Sequence, residues 1–349
     1  MSNSSVPSAE SMPQNAAAPS PELVFNTLNA YQRSAALRGA IELDLFTIIA
    51  EGANTVAALA SRCQAAERGI RILCDFLVID GFLTRDGNTY ALTQTSAIFL
   101  NRHSPAYLGS TAKFLNSPQL MSAFENLAET VRRGTTLLEG AGSMDPEHPM
   151  WVEFARAMKP MMVPAAEGIA TLLGAAQGGK WKVLDLAAGH GIFGVTLAQR
   201  NPQAEVTAVD WRNVLAVALE NAQAAGVADR YRTLPGSAFE VEFGDGYDIA
   251  LLTNFLHHFD QPTCETLMRR VHAALKPGGR AVTLEFVPND DRVTPPLEAA
   301  FSLVMLATTT AGDAYTFAQY DEMFRHAGFA RSEIHQLPMS PQHVIVSYK

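Results

Sequence analysis

The chain has 349 residues, about twice the usual ~150 of a single domain, with 48% hydrophobic and 17% charged residues. That balance fits a globular protein with a large core and excludes a disordered, collagenous or disulfide-dense chain. Lys plus Arg total 26 against 35 Asp plus Glu, a net charge of −9, which speaks against nucleic acid or anionic lipid as the main partner, since phosphate neutralisation needs clustered cations.

Residues 1–20, rich in Ser, Pro and Ala, lack the charged and apolar regions of a signal peptide and read as a disordered tail. Cys63, Cys74 and Cys264 stand far apart with no CxxC spacing, as expected of reduced core thiols in a cytoplasmic protein. No apolar run reaches the ~20 residues that span a bilayer. No cluster of Asp and His predicts a metal.

Residues 21–110 read as helices followed by a wing. Residues 40–49 place Ile41, Leu45, Ile48 and Ile49 on one helical face. Thr55 is positioned to cap a second helix over 56–61, and a third over Glu67–Ile79 carries Ile70, Leu73, Leu77 and Val78 and stops at Gly81. Short β runs over 82–84 and 89–92 flank Asp86-Gly87-Asn88, a hairpin sequence. Helix–turn–helix plus hairpin is a winged helix. Residues 111–175 are helical and carry Phe114, Met121, Phe124, Trp151, Phe154, Met158, Met161 and Met162. Such a stripe serves either as core or as an adaptable pocket wall.

From Trp181 onward, strand-like runs at Lys182–Leu186, 205–209, 248–252 and 281–285 alternate with helical stretches, which predicts a parallel, doubly wound α/β sheet. Two more runs, 332–336 and 343–347, have no helix between them, so the last strand should lie antiparallel to a neighbour.

The first of these strands ends in Asp185-Leu-Ala-Ala-Gly-His-Gly-Ile-Phe-Gly194, and the second ends in Asp210, an acid suited to gripping ribose hydroxyls. Gly189–Gly194 spells GxGxxG, so a nicotinamide dinucleotide must be weighed. Asp185 argues against it, because a carboxylate beside the turn repels pyrophosphate and favours the cationic S-adenosylmethionine. The motif also lies halfway along the chain with no second nucleotide-binding half after it.

DLAAGHG (185–191), AVDW (208–211), PGSAF (235–239), NFLHHF (254–259), LKPGG (275–279) and EFVP (285–288) together make the chain resemble the dimeric, S-adenosylmethionine-dependent small-molecule O-methyltransferases, the caffeate-type plant enzymes and bacterial antibiotic enzymes among them. The likeness spans about residues 22–349. It implies a winged-helix dimerisation domain (21–110), a helical connector lining the substrate pocket (111–175), and a seven-stranded Rossmann-like methyltransferase domain (176–349). It implies S-adenosyl-L-methionine as cofactor and S-adenosyl-L-homocysteine as product. Asp185, Gly189, Gly191, Asp210, Trp211, Ser237, Ala238, Phe239 and Asn254 would then surround the cofactor. Two departures stand out: Ala187 where a Gly is common, which narrows the turn, and Ser237 in place of an acid, which bonds the adenine amino group more weakly.

In-line methyl transfer to a phenol of pKa ~10 needs a base such as a neutral imidazole of reference pKa ~6.5. The resemblance puts His257 in that role, oriented by Glu285, with His258 as a second candidate base or as packing. A further family acid aligns with Ala314, which leaves Glu285 alone or has Asp313 or Tyr315 substitute. Phe114, Trp151, Phe154, Met158, Met305 and Thr309 would wall a flat aromatic or polyketide-like acceptor. The expected assembly is a homodimer through the N-terminal domain, because the apolar segment 31–49 needs a partner surface. The same fold also serves N-, S- or C-methylation, or a non-methylating reaction. A winged-helix regulator is the reading from another class, but Glu67, Asp75 and Asp80 offset Arg68 and Arg71 in the recognition-helix position and leave no basic face.

Overall fold

The computed structural model describes residues 19–139, 147–338 and 340–349, so most of the expected tail lies outside the described residues. The chain divides into two compact units, with the boundary between Ser96 and Ala97.

In the first unit, helices Glu22–Leu28, Ala30–Glu42, Leu45–Ala50, Val56–Arg62 and Glu67–Ile79 precede an antiparallel hairpin of β1 (Leu83–Asp86) and β2 (Thr89–Leu92). The helix expected over 40–49 is two helices. Asp44 adopts φ 55° and breaks it, and the Thr47 hydroxyl donates to the Asp44 carboxylate at 2.8 Å. Thr55 caps Val56–Arg62 by accepting from Ala58 N, and Gly81 leaves Glu67–Ile79 at φ 79°. Leu45, Phe46, Leu59, Ile70, Leu77 and Tyr90 form the buried centre of this unit. The half of 31–49 from Ala40 onward is therefore covered by its own unit. The uncovered apolar row lies earlier, at Leu23, Val24, Phe25 and Leu28 on a helix with no buried residue, followed by Tyr31 at the start of the next, all exposed.

The second unit is a three-layer α/β/α sandwich. Its sheet comprises β3 (Lys182–Leu186), β4 (Glu205–Asp210), β5 (Tyr231–Pro235), β6 (Tyr247–Thr253), β7 (Leu275–Glu285), β8 (Arg331–Gln336) and β9 (His343–Tyr348). Their spatial order is β5-β4-β3-β6-β7-β9-β8, with β9 antiparallel to both neighbours. β3, β6 and the last third of β7 bury both faces, which is why they read as continuous apolar runs. The directly read runs numbered six. The seventh strand, β5, is an edge strand with Arg232 and Thr233 exposed, so its sequence shows no such run. Helices Pro149–Leu172, Ile192–Arg200 and Arg212–Ala224 pack on one face around Ile169, Phe193 and Leu215, while Gln261–Ala274 and Phe317–His326 cover the other around Leu267, Met268 and Phe324.

β3 pairs with β4 on one side and β6 on the other. The chain runs from β3 through β4 to β5 on one side and then crosses to β6 on the other, and this reversal opens a crevice at the carboxyl ends of the strands.

Candidate active site

A cavity of about 500 Å³ occupies that crevice. Its walls come from the turn after β3, the ends of β4, β6 and β7, and helices Pro149–Leu172 and Pro296–Thr308.

The β3 turn shapes one end. Ala187 (φ 51°), Gly189 (φ 57°) and Gly191 (φ 72°) are all left-handed. The cost of Ala187 in place of Gly is thus one of backbone conformation rather than of space. Ala187 to His190 line the cavity, whereas Gly191 faces away, where an added Cβ would lie 2.6 Å from the Tyr231 hydroxyl. Asp210 also lines the cavity. Its carboxylate accepts from Gly189 N at 2.8 Å and from Trp211 N at 2.7 Å, and burial pushes its pKa up to about 6. Trp211 lines the wall beside it.

Asp185 does not reach the cavity. It is fully buried beneath the turn, accepts from Gly194 N at 3.2 Å, and leaves Oδ1 without a partner. Burial pushes its pKa up to about 7. Its influence on a bound cation would be through the field, not through contact. Ser237, Ala238 and Phe239 also stand outside the cavity lining: Ser237 Oγ accepts from Phe239 N, and the Phe239 ring packs on Phe255 and Phe259. Gly236 N donates to Asp210 O and ties this turn to the end of β4.

The other end carries the imidazoles. His257 Nδ1 donates to Glu285 Oε2, and Glu285 Oε1 accepts from Phe255 N at 3.0 Å and Leu256 N at 2.9 Å. Glu285 is fully buried and His257 nearly so, and His257 lines the cavity. With Nδ1 committed, Nε2 is the basic nitrogen. His258 lies with its ring centroid 4.2 Å from that of His257, donates through Nδ1 to Phe255 O at 3.1 Å, and is driven well below its ordinary pKa by burial and by the neighbouring His257. It stays neutral. Neither substitute for the missing acid touches the His257 ring: Asp313 pairs with Arg292 at 2.6 Å, and the Tyr315 hydroxyl donates to Phe259 O.

Asn254 (φ 55°) lines the cavity, donates to Met162 Sδ and accepts from Gln342 Nε2. Phe114, Trp151, Phe154, Met158 and Met305 line the walls, with Phe114 and Trp151 both edge-on to Phe154. Thr309 does not. Its hydroxyl turns back to Met305 O, and Thr308 lines the cavity instead. The sequence reading passed over Phe301, edge-on to His257 at 4.9 Å, and Phe286, 4.3 Å from Phe301. The apolar helix Pro296–Thr308 held the clue, since its inner row also contains Val304 and Met305. Among the described residues no three His, Cys, Asp or Glu side chains converge as a metal site, and no helix is long and apolar enough to cross a membrane.

Residues 170–330 match the O-methyltransferase domain and residues 25–102 the O-methyltransferase dimerisation domain. The crystal structure of a putative O-methyltransferase from Nostoc punctiforme is 53% identical, covers 95% of this chain and 100% of its own, and superposes with a TM-score of 0.92. The tetracenomycin polyketide synthesis 8-O-methyl transferase of Streptomyces glaucescens is 29% identical over 86% of this chain and 88% of its own. Human N-acetylserotonin methyltransferase, solved with S-adenosylmethionine, shares the fold at 24% identity, 97% and 99% coverage and a TM-score of 0.82. The chain belongs to the S-adenosylmethionine-dependent O-methyltransferase family.

Proposed function

We propose that the protein methylates a phenolic hydroxyl of a small aromatic or polyketide-like metabolite, with His257 as general base and Glu285 as its orienting acid. The observation that carries this reading is His257, held from behind by the buried Glu285, in the wall of a mostly apolar cavity that also exposes the Asp210 carboxylate.

The residues fit the cofactor. Asp210, anchored by two backbone N–H groups, offers a carboxylate to a ribose diol, and Gly189 leaves that wall without a side chain. S-adenosylmethionine supplies an electrophilic methyl group when bound. His257 Nε2 accepts the hydroxyl proton as the acceptor oxygen gains the methyl, and Glu285 stabilises the resulting imidazolium through Nδ1. Phe301, edge-on to His257, and the burial of both side chains keep water from the pair and leave the Coulomb attraction weakly screened. In this reading residues 21–110 serve dimerisation, 111–175 wall the acceptor, and 176–349 hold the cofactor and base, in a homodimer. The three cysteines, free thiols in the structure, suit a reducing cytoplasm.

The test is turnover of a panel of phenols, thiols and amines by the parent and by His257→Ala, followed as demethylated cofactor. Phenols alone should react, the variant should lose at least about a hundredfold in kcat, and chelators should change nothing. A variant at parental rate removes His257 from the mechanism.

A further inference from the structure

The resemblance expects an acid beside the base at position 314, but this chain has Ala314, fully buried, so the imidazole lacks a second side-chain hold. The structure holds His257 from behind instead, through its backbone. Asp313 N donates to His257 O at 3.0 Å. Gly312 passes so close that a Cβ there would clash with His257 O and lie 2.7 Å from Thr309 Oγ1, which itself accepts from Gly312 N. The Tyr315 hydroxyl donates to Phe259 O at 2.6 Å. Residues 309–316 thus form a brace along the 257–259 backbone.

One residue latches that brace. Arg292, seven positions beyond Glu285 and itself left-handed at φ 61°, sends Nη1 to Ala314 O at 2.9 Å and to Gln319 Oε1 at 3.2 Å, and Nη2 to Asp313 Oδ2 at 2.6 Å. Asp313 Oδ1 in turn accepts from Ala314 N at 2.8 Å. The segment leaving β7 therefore supplies two grips: Glu285 on the imidazole ring and Arg292 on the brace beneath its backbone. We propose that Arg292 is a positioning residue for methyl transfer, which fixes His257 against Glu285 by clamping residues 313 and 314. The proposal rests on His257 being the base. Its guanidinium fork reaches three acceptors at once, which a point charge cannot do.

Glu285 and His258 are the titratable groups that face His257, with Cys264 and Tyr320 next to Glu285. Loosening the brace lets the 257–259 backbone shift and draws the imidazole off the Glu285 carboxylate. Arg292→Ala should lower kcat about tenfold at saturating substrates, since small misplacements of a base are costly. The KM for S-adenosylmethionine should stay within about twofold, so that the loss falls on kcat. Arg292→Lys, which keeps the pairing with Asp313 but loses the fork, should fall between parent and Arg292→Ala. The proposal is overturned if Arg292→Ala turns over at the parental kcat. It is equally overturned if the loss equals the loss of folded sites, counted by S-adenosylhomocysteine binding, with Arg292→Lys no more active than Arg292→Ala. His257→Ala separates the two readings: if it is active, the base assignment falls, and if it is inactive while Arg292→Ala is parental, only the clamp falls.

Discussion

Glu285 determines which nitrogen of His257 is basic. Its Oε2 accepts the hydrogen bond from Nδ1–H while Oε1 accepts from Phe255 N and Leu256 N, so the carboxylate has no freedom to turn away. In Glu285→Gln the side-chain oxygen would remain on those two N–H groups and the amide NH₂ would face Nδ1. The imidazole would then switch tautomer and carry its proton on Nε2, where a base is needed. We expect kcat to fall by about 10²–10⁴ with KM for the cofactor nearly unchanged; stopped-assay kinetics check this, and a variant above a tenth of the parental rate contradicts it. Asp210→Asn should leave the fold intact and weaken S-adenosylmethionine binding by about 10- to 100-fold, the usual cost of exchanging a charged hydrogen-bond acceptor for a neutral one. Isothermal titration reads this directly, and an unchanged Kd would show that Asp210 faces something else. At this scale the sequence was legible where a motif fixes a backbone position: His257, Glu285, Asp210 and Gly189 all line the cavity or hold a residue that does. It was less so where only side-chain direction decides. Asp185 lies in the same motif but points under the turn, and Thr309 sits one residue past the helix end that puts Thr308 on the wall.

At the level of elements, the β3–turn–helix unit combines close packing with an unpaid charge. Gly194 lets the helix approach β3 so closely that an added Cβ would lie 2.7 Å from Asp185 Oδ2 and 2.9 Å from Val206. The same closeness strips Asp185 of water and leaves one oxygen without a partner. Because burial raises its native pKa from 3.8 to about 7, the native state holds an extra proton between those values. The stability contribution of Asp185 therefore falls as pH rises through that window and is level above it. Asp185→Asn should make the ligand-free protein more stable by on the order of 1–3 kcal/mol at pH 8, with the advantage shrinking toward nothing near pH 4. Denaturant melts across pH test this, and a pH-independent difference would mean that the carboxyl is not titrating there. Elements were readable in proportion to their burial. β3 and β6 are buried on both faces, whereas β5 pairs on one side only, exposes Arg232 and Thr233, and carries no pattern that a linear reading distinguishes from a loop. The break at Asp44 escaped for another reason: a left-handed non-glycine residue stabilised by Thr47 leaves the apolar period on either side intact.

The whole molecule contains a helix that cannot account for itself. Glu22–Leu28 has seven residues, none of them buried, and Leu23 is 77% exposed beside Phe25 at 59% and Leu28 at 67%. Isolated helices shorter than about 12 residues are marginal in water, and a contiguous apolar row on one is a partner surface. A second copy of this chain is the partner that fits, because residues 25–102 match a dimerisation domain and begin inside that row. The net charge of −9 fits as well: two acidic chains associate through an apolar face rather than through complementary charge. Phe25→Asp combined with Leu28→Asp buries no new charge within one chain, since both positions are exposed, and leaves the unit's own centre at Leu45, Phe46 and Leu59 untouched. The double variant should keep its melting behaviour under dilute conditions yet sediment as a monomer at concentrations of about 1–10 μM, where the parent sediments as a dimer; two desolvated carboxylates per chain cost several kcal/mol of association. A double variant that dimerises with the parental Kd would place the interface elsewhere on the first unit.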